Sequence, residues 1–166
     1  MSTDTLLIII GWVITIALLI FFVPKMKIRQ AIVVFMFKQM ITWFIGLLVV
    51  ELRLLEYPVR SFAYATKTSF DFEYFVYPSF CVLFNLHYPE GKSFTKRFLH
   101  FIYYCSALTA IEVVVEKYTD ILKYIHWAWY TTFITFFITF FMSRQFYKWF
   151  FKSENAVPRS ADREES

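Results

Sequence analysis

Five apolar stretches, separated by short charged segments, account for most of this chain. A transmembrane helix needs about 20 mostly apolar residues to cross a hydrocarbon core roughly 30 Å thick, and most of the stretches have such a length. The first carries no charge and stops at Pro24, whereas the third is short and contains Pro78, which weakens a helix interior. The pattern predicts five membrane-crossing helices at about residues 5–23, 28–50, 74–88, 98–117 and 124–151.

Little of the chain remains outside these stretches. We therefore predict one transmembrane helical domain over residues 1–152 and a polar, disordered cytoplasmic tail over residues 153–166. The composition agrees, because 58% of the residues are hydrophobic and 22 are phenylalanine, a balance that suits lipid better than water. The predicted fold class is all-α, an integral membrane five-helix bundle.

The basic residues predict how the bundle is oriented. Of the 17 lysines and arginines, most lie after helix one, after helix three and at the C-terminal end, while fewer lie after helices two and four. Cytoplasmic loops are enriched in lysine and arginine. Because the bias alternates from loop to loop, all five segments are expected to cross, with the N-terminus outside and the C-terminus in the cytoplasm.

The net charge of +4 does not indicate a nucleic-acid partner. The basic residues stand at the ends of apolar runs, where the anionic inner leaflet is the natural electrostatic partner. The expected partners are membrane lipids, together with a second copy of the chain or a larger membrane protein.

Small and polar residues recur at three- and four-residue spacing on four of the predicted helices. This spacing places them on one face of each helix, and such faces allow membrane helices to pack closely. The predicted helix-packing seam contains Thr15, Thr42, Gly46, Thr109, Thr135 and Thr139.

Two charged residues interrupt the apolar runs far from their ends. With a rise of 1.5 Å per residue, Lys38 lies about 15 Å and Glu112 about 21 Å from the inner face. A lone charge at the bilayer centre is costly and is normally paired or functional. We therefore expect a buried ion pair between Lys38 and Glu112, which either fixes the helix register or relays protons or ions.

Two further carboxylates, Glu51 and Glu116, are predicted near the outer leaflet. Together with Glu112 they could hold a cation or gate a cavity. In the other interpretation they extend to water beside Arg53 and Lys117. The long outer loop from Glu51 to Glu73 is rich in aromatic residues and is expected to pack over the bundle or to bind a partner.

No catalytic or cofactor motif is present. The histidines do not share the spacing of metal ligands. The chain has only three glycines, and they do not form a phosphate-binding glycine loop. We expect no catalytic residues, no cofactor and no metal.

Three segments carry a resemblance to a known family: EYPVR at 56–60, SFDFEYFVYP at 69–78 and CVLFN at 81–85. They resemble a family of small multi-helix membrane proteins from endospore-forming Bacillus-type and Clostridium-type bacteria, which lack an assigned biochemical function. The resemblance implies a bacterial cell membrane or a spore membrane as the location. It implies no catalytic residue.

Three interpretations of function remain at this point. The first is a non-enzymatic structural or accessory membrane component, which the resemblance associates with sporulation. The second is a small oligomeric transporter or channel that uses the Lys38 and Glu112 pair. The third is a membrane-embedded enzyme that uses carboxylates at the outer leaflet.

Overall fold

The computed structural model describes residues 3–152, and within them the chain forms five α-helices. The all-α prediction is therefore confirmed for this part of the chain. The predicted tail, residues 153–166, lies outside the described residues. The helices are α1 (Thr3–Phe22), α2 (Ile28–Glu51), α3 (Tyr77–Leu86), α4 (Phe94–Tyr118) and α5 (Trp129–Phe150).

Three of the helices are long and apolar enough to cross a membrane: α1, α2 with the 3-10 turn Lys25–Lys27 that precedes it, and α4. Helix α3 has 10 residues, fewer than the roughly 17 that a crossing needs. Helix α5 has 22 residues, but its threonines, Ser143 and Arg144 lower its mean hydropathy. Length and composition therefore support a membrane location through three helices, and the crossings of α3 and α5 stay a prediction.

The helices alternate in direction along the bundle. At one end, Phe22 contacts His87 with 6.3 Å between ring centroids, Tyr147 donates to Gln30 at 2.8 Å, and Arg144 pairs with Glu90. These contacts join the loop after α1, the loop after α3 and the last turns of α5. We call this the basic end, because it gathers the loops with the larger number of lysines and arginines.

The opposite end is closed by a two-stranded antiparallel ladder. Strand β1 (Leu55–Glu56) pairs with β2 (Lys123–Tyr124), so that Leu55 faces Tyr124 and Glu56 faces Lys123. The ladder joins the segments that follow α2 and α4. We call this the ladder end. The long loop between α2 and α3 folds over it, and Val59 N donates to Asp120 O at 3.2 Å.

Helix α3 forms the centre of the bundle. It continues from a wider π-helical segment (Phe70–Val76), whose N-terminus is capped where Ser69 Oγ accepts from Phe72 N at 3.3 Å. Every residue of α3 except Phe80 is buried. The ring of Phe84 packs edge-on against Phe101 and Phe140, with centroids 4.7 and 4.8 Å apart. The short third segment is therefore a core helix that the longer helices surround.

The outer faces of the long helices are apolar. Within α1, Thr15 is the one buried residue of those described, while Ile20 and Phe21 are 71% and 82% exposed. Helix α2 likewise exposes Met36 and Phe44. Apolar surface of this extent is rare on proteins that face water, and it is compatible with contact with lipid.

Candidate functional site

The residues of the predicted packing seam lie between helices. Thr15, Thr42, Thr109 and Thr139 are buried, and Thr135 is half-buried. Gly46 is buried where the loop before α3 crosses α2. A Cβ atom at this position would lie 2.7 Å from Thr68 Oγ1 and 2.9 Å from Glu73 Cγ. The absence of a side chain at Gly46 therefore allows these two residues to approach the helix.

Lys38 lies fully inside the bundle. Its ammonium donates to Thr139 Oγ1 on α5 and sits 4.7 Å from the centroid of the Phe140 ring. The Thr139 hydroxyl in turn donates to the carbonyl of Thr135 at 2.8 Å. The buried position of Lys38 follows from its place on the same face of α2 as Thr42 and Gly46.

Glu112 does not pair directly with Lys38, and the predicted ion pair is wrong in this respect. Its Oε2 accepts from Tyr77 at 2.8 Å, and its Oε1 accepts from Tyr124 at 2.8 Å and from Thr132 at 2.6 Å. Three hydroxyl donors thus satisfy both carboxylate oxygens. The donors come from α3, β2 and α5, and helical spacing within α2 and α4 gave no indication of them.

Glu73 is a second buried carboxylate, and of the two it is the one that interacts electrostatically with Lys38. The sequence pattern placed Glu73 at the end of the loop before the third helix. It is buried at 9% exposure, and Oε1 accepts from Tyr57 at 3.0 Å. Its backbone carbonyl accepts from Thr42 at 2.6 Å, which fixes the π-helical segment against α2. The one available signal was the run of aromatic residues on both sides of Glu73, since an acidic residue within such a run is placed among buried rings.

Glu73 and Glu112 line one small cavity. It has a volume of about 40 Å³, and its walls include Thr42, Thr132 and Thr139. A volume of this size accommodates one water molecule or a few. The walls are mainly apolar, and the partners for a buried water are the carboxylates and the threonine hydroxyls. The cavity therefore joins the two carboxylates to the threonine that binds Lys38.

Two tyrosines from outside the helices provide donors to these carboxylates. Burial and the nearby Glu73 carboxylate raise the pKa of Tyr57 well above its ordinary value. Burial, followed by the Glu112 carboxylate, raises the pKa of Tyr124 as well. Both phenols therefore keep their protons at neutral pH and act as donors rather than as bases.

The two predicted outer-leaflet carboxylates do not join Glu112. Glu51 is exposed at the end of α2 and lines a surface depression of about 530 Å³ with Arg53, Arg60 and Lys67. Glu116 is half-buried on α4. Within residues 3–152, no three side chains of His, Cys, Asp or Glu are grouped so that they could hold a metal ion. The predicted three-carboxylate site is thus not assembled.

A second polar group lies toward the basic end. Ser143 Oγ accepts from Cys81 Sγ and from Asn85 Nδ2, each at 3.1 Å. Arg144 is buried at 3% exposure, pairs with Glu90 and stacks 4.1 Å from the Tyr88 ring centroid. The sequence pattern places Arg144 in the group of basic residues near the C-terminal end, where a surface position is expected. It instead connects α5 to the loop after α3.

In comparisons with known proteins, no family model, no curated protein and no solved structure matches this chain.

Proposed function

We propose that this chain is a small multi-pass membrane component that acts without catalytic turnover. In this proposal all five helices cross the bilayer, the ladder end faces outward, and the basic end faces the cytoplasm. The observation that carries the proposal is the gathering of the lysine-rich and arginine-rich loops at one end of the bundle. Such an arrangement is what the cytoplasmic enrichment of basic residues requires.

The small volume of the interior cavity supports a role without catalytic turnover. Ligand pockets usually have volumes of about 300–1,000 Å³, whereas the cavity between Glu73 and Glu112 has about 40 Å³. An organic solute does not fit in such a volume. The larger groove of about 560 Å³ that also touches Glu112 lies between α1 and α4 and is lined mainly by apolar side chains, as expected of a surface that lipid covers. Hydroxyl groups bind both carboxylates and the lysine, which favours a role in fixing helix register.

The apolar outer faces of α1 and α2 give the component its partners in this proposal: membrane lipids, and a second copy or a larger membrane protein. Following the family resemblance, we place it in a bacterial cell membrane, with a spore membrane as the more specialised location. Density-gradient fractionation of growing and sporulating cells separates these two locations.

The proposal is tested with the full chain in proteoliposomes. We expect an imposed pH gradient to decay at the rate of protein-free vesicles, because α5 and α3 close the interior between the cavity and the basic end. In native membranes we expect the chain to copurify with a stoichiometric membrane partner or with itself. A sustained proton flux that Glu112→Gln abolishes would show that the protein is a transporter instead.

A further inference from the structure

The buried polar groups around the small cavity do not balance in charge. The titratable and charged groups that act on Glu73 are Lys38 from α2, Tyr57 from the long loop and Glu112 from α4. Tyr77 from α3 and Tyr124 from β2 bond to Glu112 beside it. Helix α5 contributes threonines to the cavity wall, and α1 contributes no wall residue. With one ammonium and two carboxylates ionised, the cluster carries one excess negative charge. Such a charge is unfavourable in an apolar bundle, and one bound proton removes it.

The hydrogen bonds indicate which carboxylate receives the proton. Glu112 accepts from three hydroxyls, a set that stabilises the ionised form. Glu73 accepts from Tyr57 through its Oε1. The asymmetry makes Glu73 the carboxylate that gains more from protonation.

A hydroxyl without a partner lies beside Glu73. Thr68 is fully buried, and its Oγ1 has no hydrogen-bond partner. The position of a Cβ on Gly46 lies 2.7 Å from this oxygen and 2.9 Å from Glu73 Cγ, so both side chains converge on one point. Although it lies close by, Thr68 Oγ1 does not bond to Glu73, so among the described residues Tyr57 is the one side-chain donor to this carboxylate.

Tyr57 separates this cluster from water. Its side chain lines both the buried cavity and the open depression at the ladder end, and its hydroxyl donates to Glu73. Toward the basic end, the contact between Lys38 and Thr139 and the buried ring of Phe140 close the interior. A groove of about 560 Å³ between α1 and α4 also reaches Glu112 and Tyr77, but its walls are mainly apolar. The polar route from water to Glu73 is therefore the one past Tyr57.

We infer that Glu73 is a reversible proton-binding site, which takes one proton from water in the depression at the ladder end past Tyr57. The proton bonds to a carboxylate oxygen, the carboxylate becomes a carboxylic acid, and no other bond changes. This site goes beyond the proposed function, since it binds a proton without conducting it. Its occupancy gives the membrane component a sensitivity to the pH on the ladder side.

The test is infrared difference spectroscopy on the full chain in lipid nanodiscs during acid titration. A protonated carboxyl gives a C=O stretch that is distinct from the carboxylate bands and shifts in D₂O. We expect the unsubstituted protein and Glu116→Gln to show one such buried band. Glu116→Gln is the matched control, because Glu116 lies one turn beyond Glu112 on the same helix. The band should be absent from Glu73→Gln.

Electrostatics gives a second readout that does not depend on Glu73→Gln folding. Glu112→Gln removes a like charge, so the midpoint of protonation should move to lower pH, by about tenfold in proton affinity. Lys38→Met removes an opposite charge, so the midpoint should move to higher pH by a similar factor. Tyr57→Phe removes the donor to the carboxylate and should also raise the midpoint.

A buried carboxyl band that persists in Glu73→Gln would overturn the assignment. So would the absence of any buried acid band in the unsubstituted protein, or shifts of the same sign in Glu112→Gln and Lys38→Met. These outcomes leave the proposed function unaffected, because vesicle flux and copurification are measured independently of the spectra.

Discussion

At the scale of single residues, the sequence indicated which polar side chains are buried better than it indicated their partners. Lys38 and Glu112 are both inside the bundle, as their positions within apolar runs predicted. Their partners are hydroxyls from other segments, and no spacing rule within one helix identifies a hydroxyl on another. Glu73 lies one residue before the predicted third helix at about residues 74–88, so the apolar pattern does not mark it as buried, although its neighbours are aromatic.

Gly46 offers a sharp test of the packing around this cluster. In Gly46→Ala the new methyl group would meet Thr68 Oγ1 and Glu73 Cγ at distances shorter than van der Waals contact. We expect a loss of about 1–3 kcal/mol in the free energy of unfolding, as for other overpacked interiors. Thermal unfolding of the detergent-solubilised protein measures it.

The control for this substitution is Gly11→Ala. No atom lies within 4 Å of the Cβ position at Gly11, and alanine has the higher helix propensity. Gly11→Ala should therefore leave the unfolding temperature unchanged or raise it slightly. Equal destabilisation by the two substitutions would mean that Gly46 is not a site of close packing.

At the scale of elements, hydrophobic pattern predicted the existence of all five helices and located most of their ends within a few residues. It did not predict that α3 is a short core helix, because a fully buried helix and a lipid-exposed helix are both apolar. It also missed the ladder between β1 and β2, since strands of two residues leave no periodic signal. Pairing across such a distance along the chain depends on tertiary packing.

Arg144 is the contact that holds α5 to the loop after α3. Arg144→Met removes the pair with Glu90 and the stacking on Tyr88. The carboxylate of Glu90 is largely exposed, so most of the loss comes from the stacking, and we expect about 1–2 kcal/mol. Lys148→Met, at an exposed position one turn further along α5, is the matched control and should be close to neutral.

Limited proteolysis complements the unfolding data for this contact. If Arg144 holds the two elements together, Arg144→Met should make the loop of residues 87–93 more accessible to protease, whereas Lys148→Met should not. Identical cleavage patterns in the two variants would show that the buried arginine contributes little to the junction.

At the scale of the whole molecule, the central claim is that five alternating helices carry their basic loops to one face of a membrane. The structure shows the alternation and the two ends. The alternation of more basic and less basic loops predicted this grouping, because every second loop of a bundle of alternating helices lies at the same end. The orientation in the bilayer does not follow from packing. It follows from the rule that cytoplasmic loops are enriched in lysine and arginine.

Cysteine labelling in intact bacterial cells tests the claim most directly. Lys67 and Lys92 are both exposed, Lys67 in the loop at the ladder end and Lys92 in the loop at the basic end. The unsubstituted chain gives the background, since Cys81 and Cys105 are both buried. We predict that a membrane-impermeant maleimide labels Lys67→Cys in intact cells and labels Lys92→Cys only after permeabilisation. Labelling of Lys92→Cys in intact cells, or equal labelling of both positions, would contradict the account.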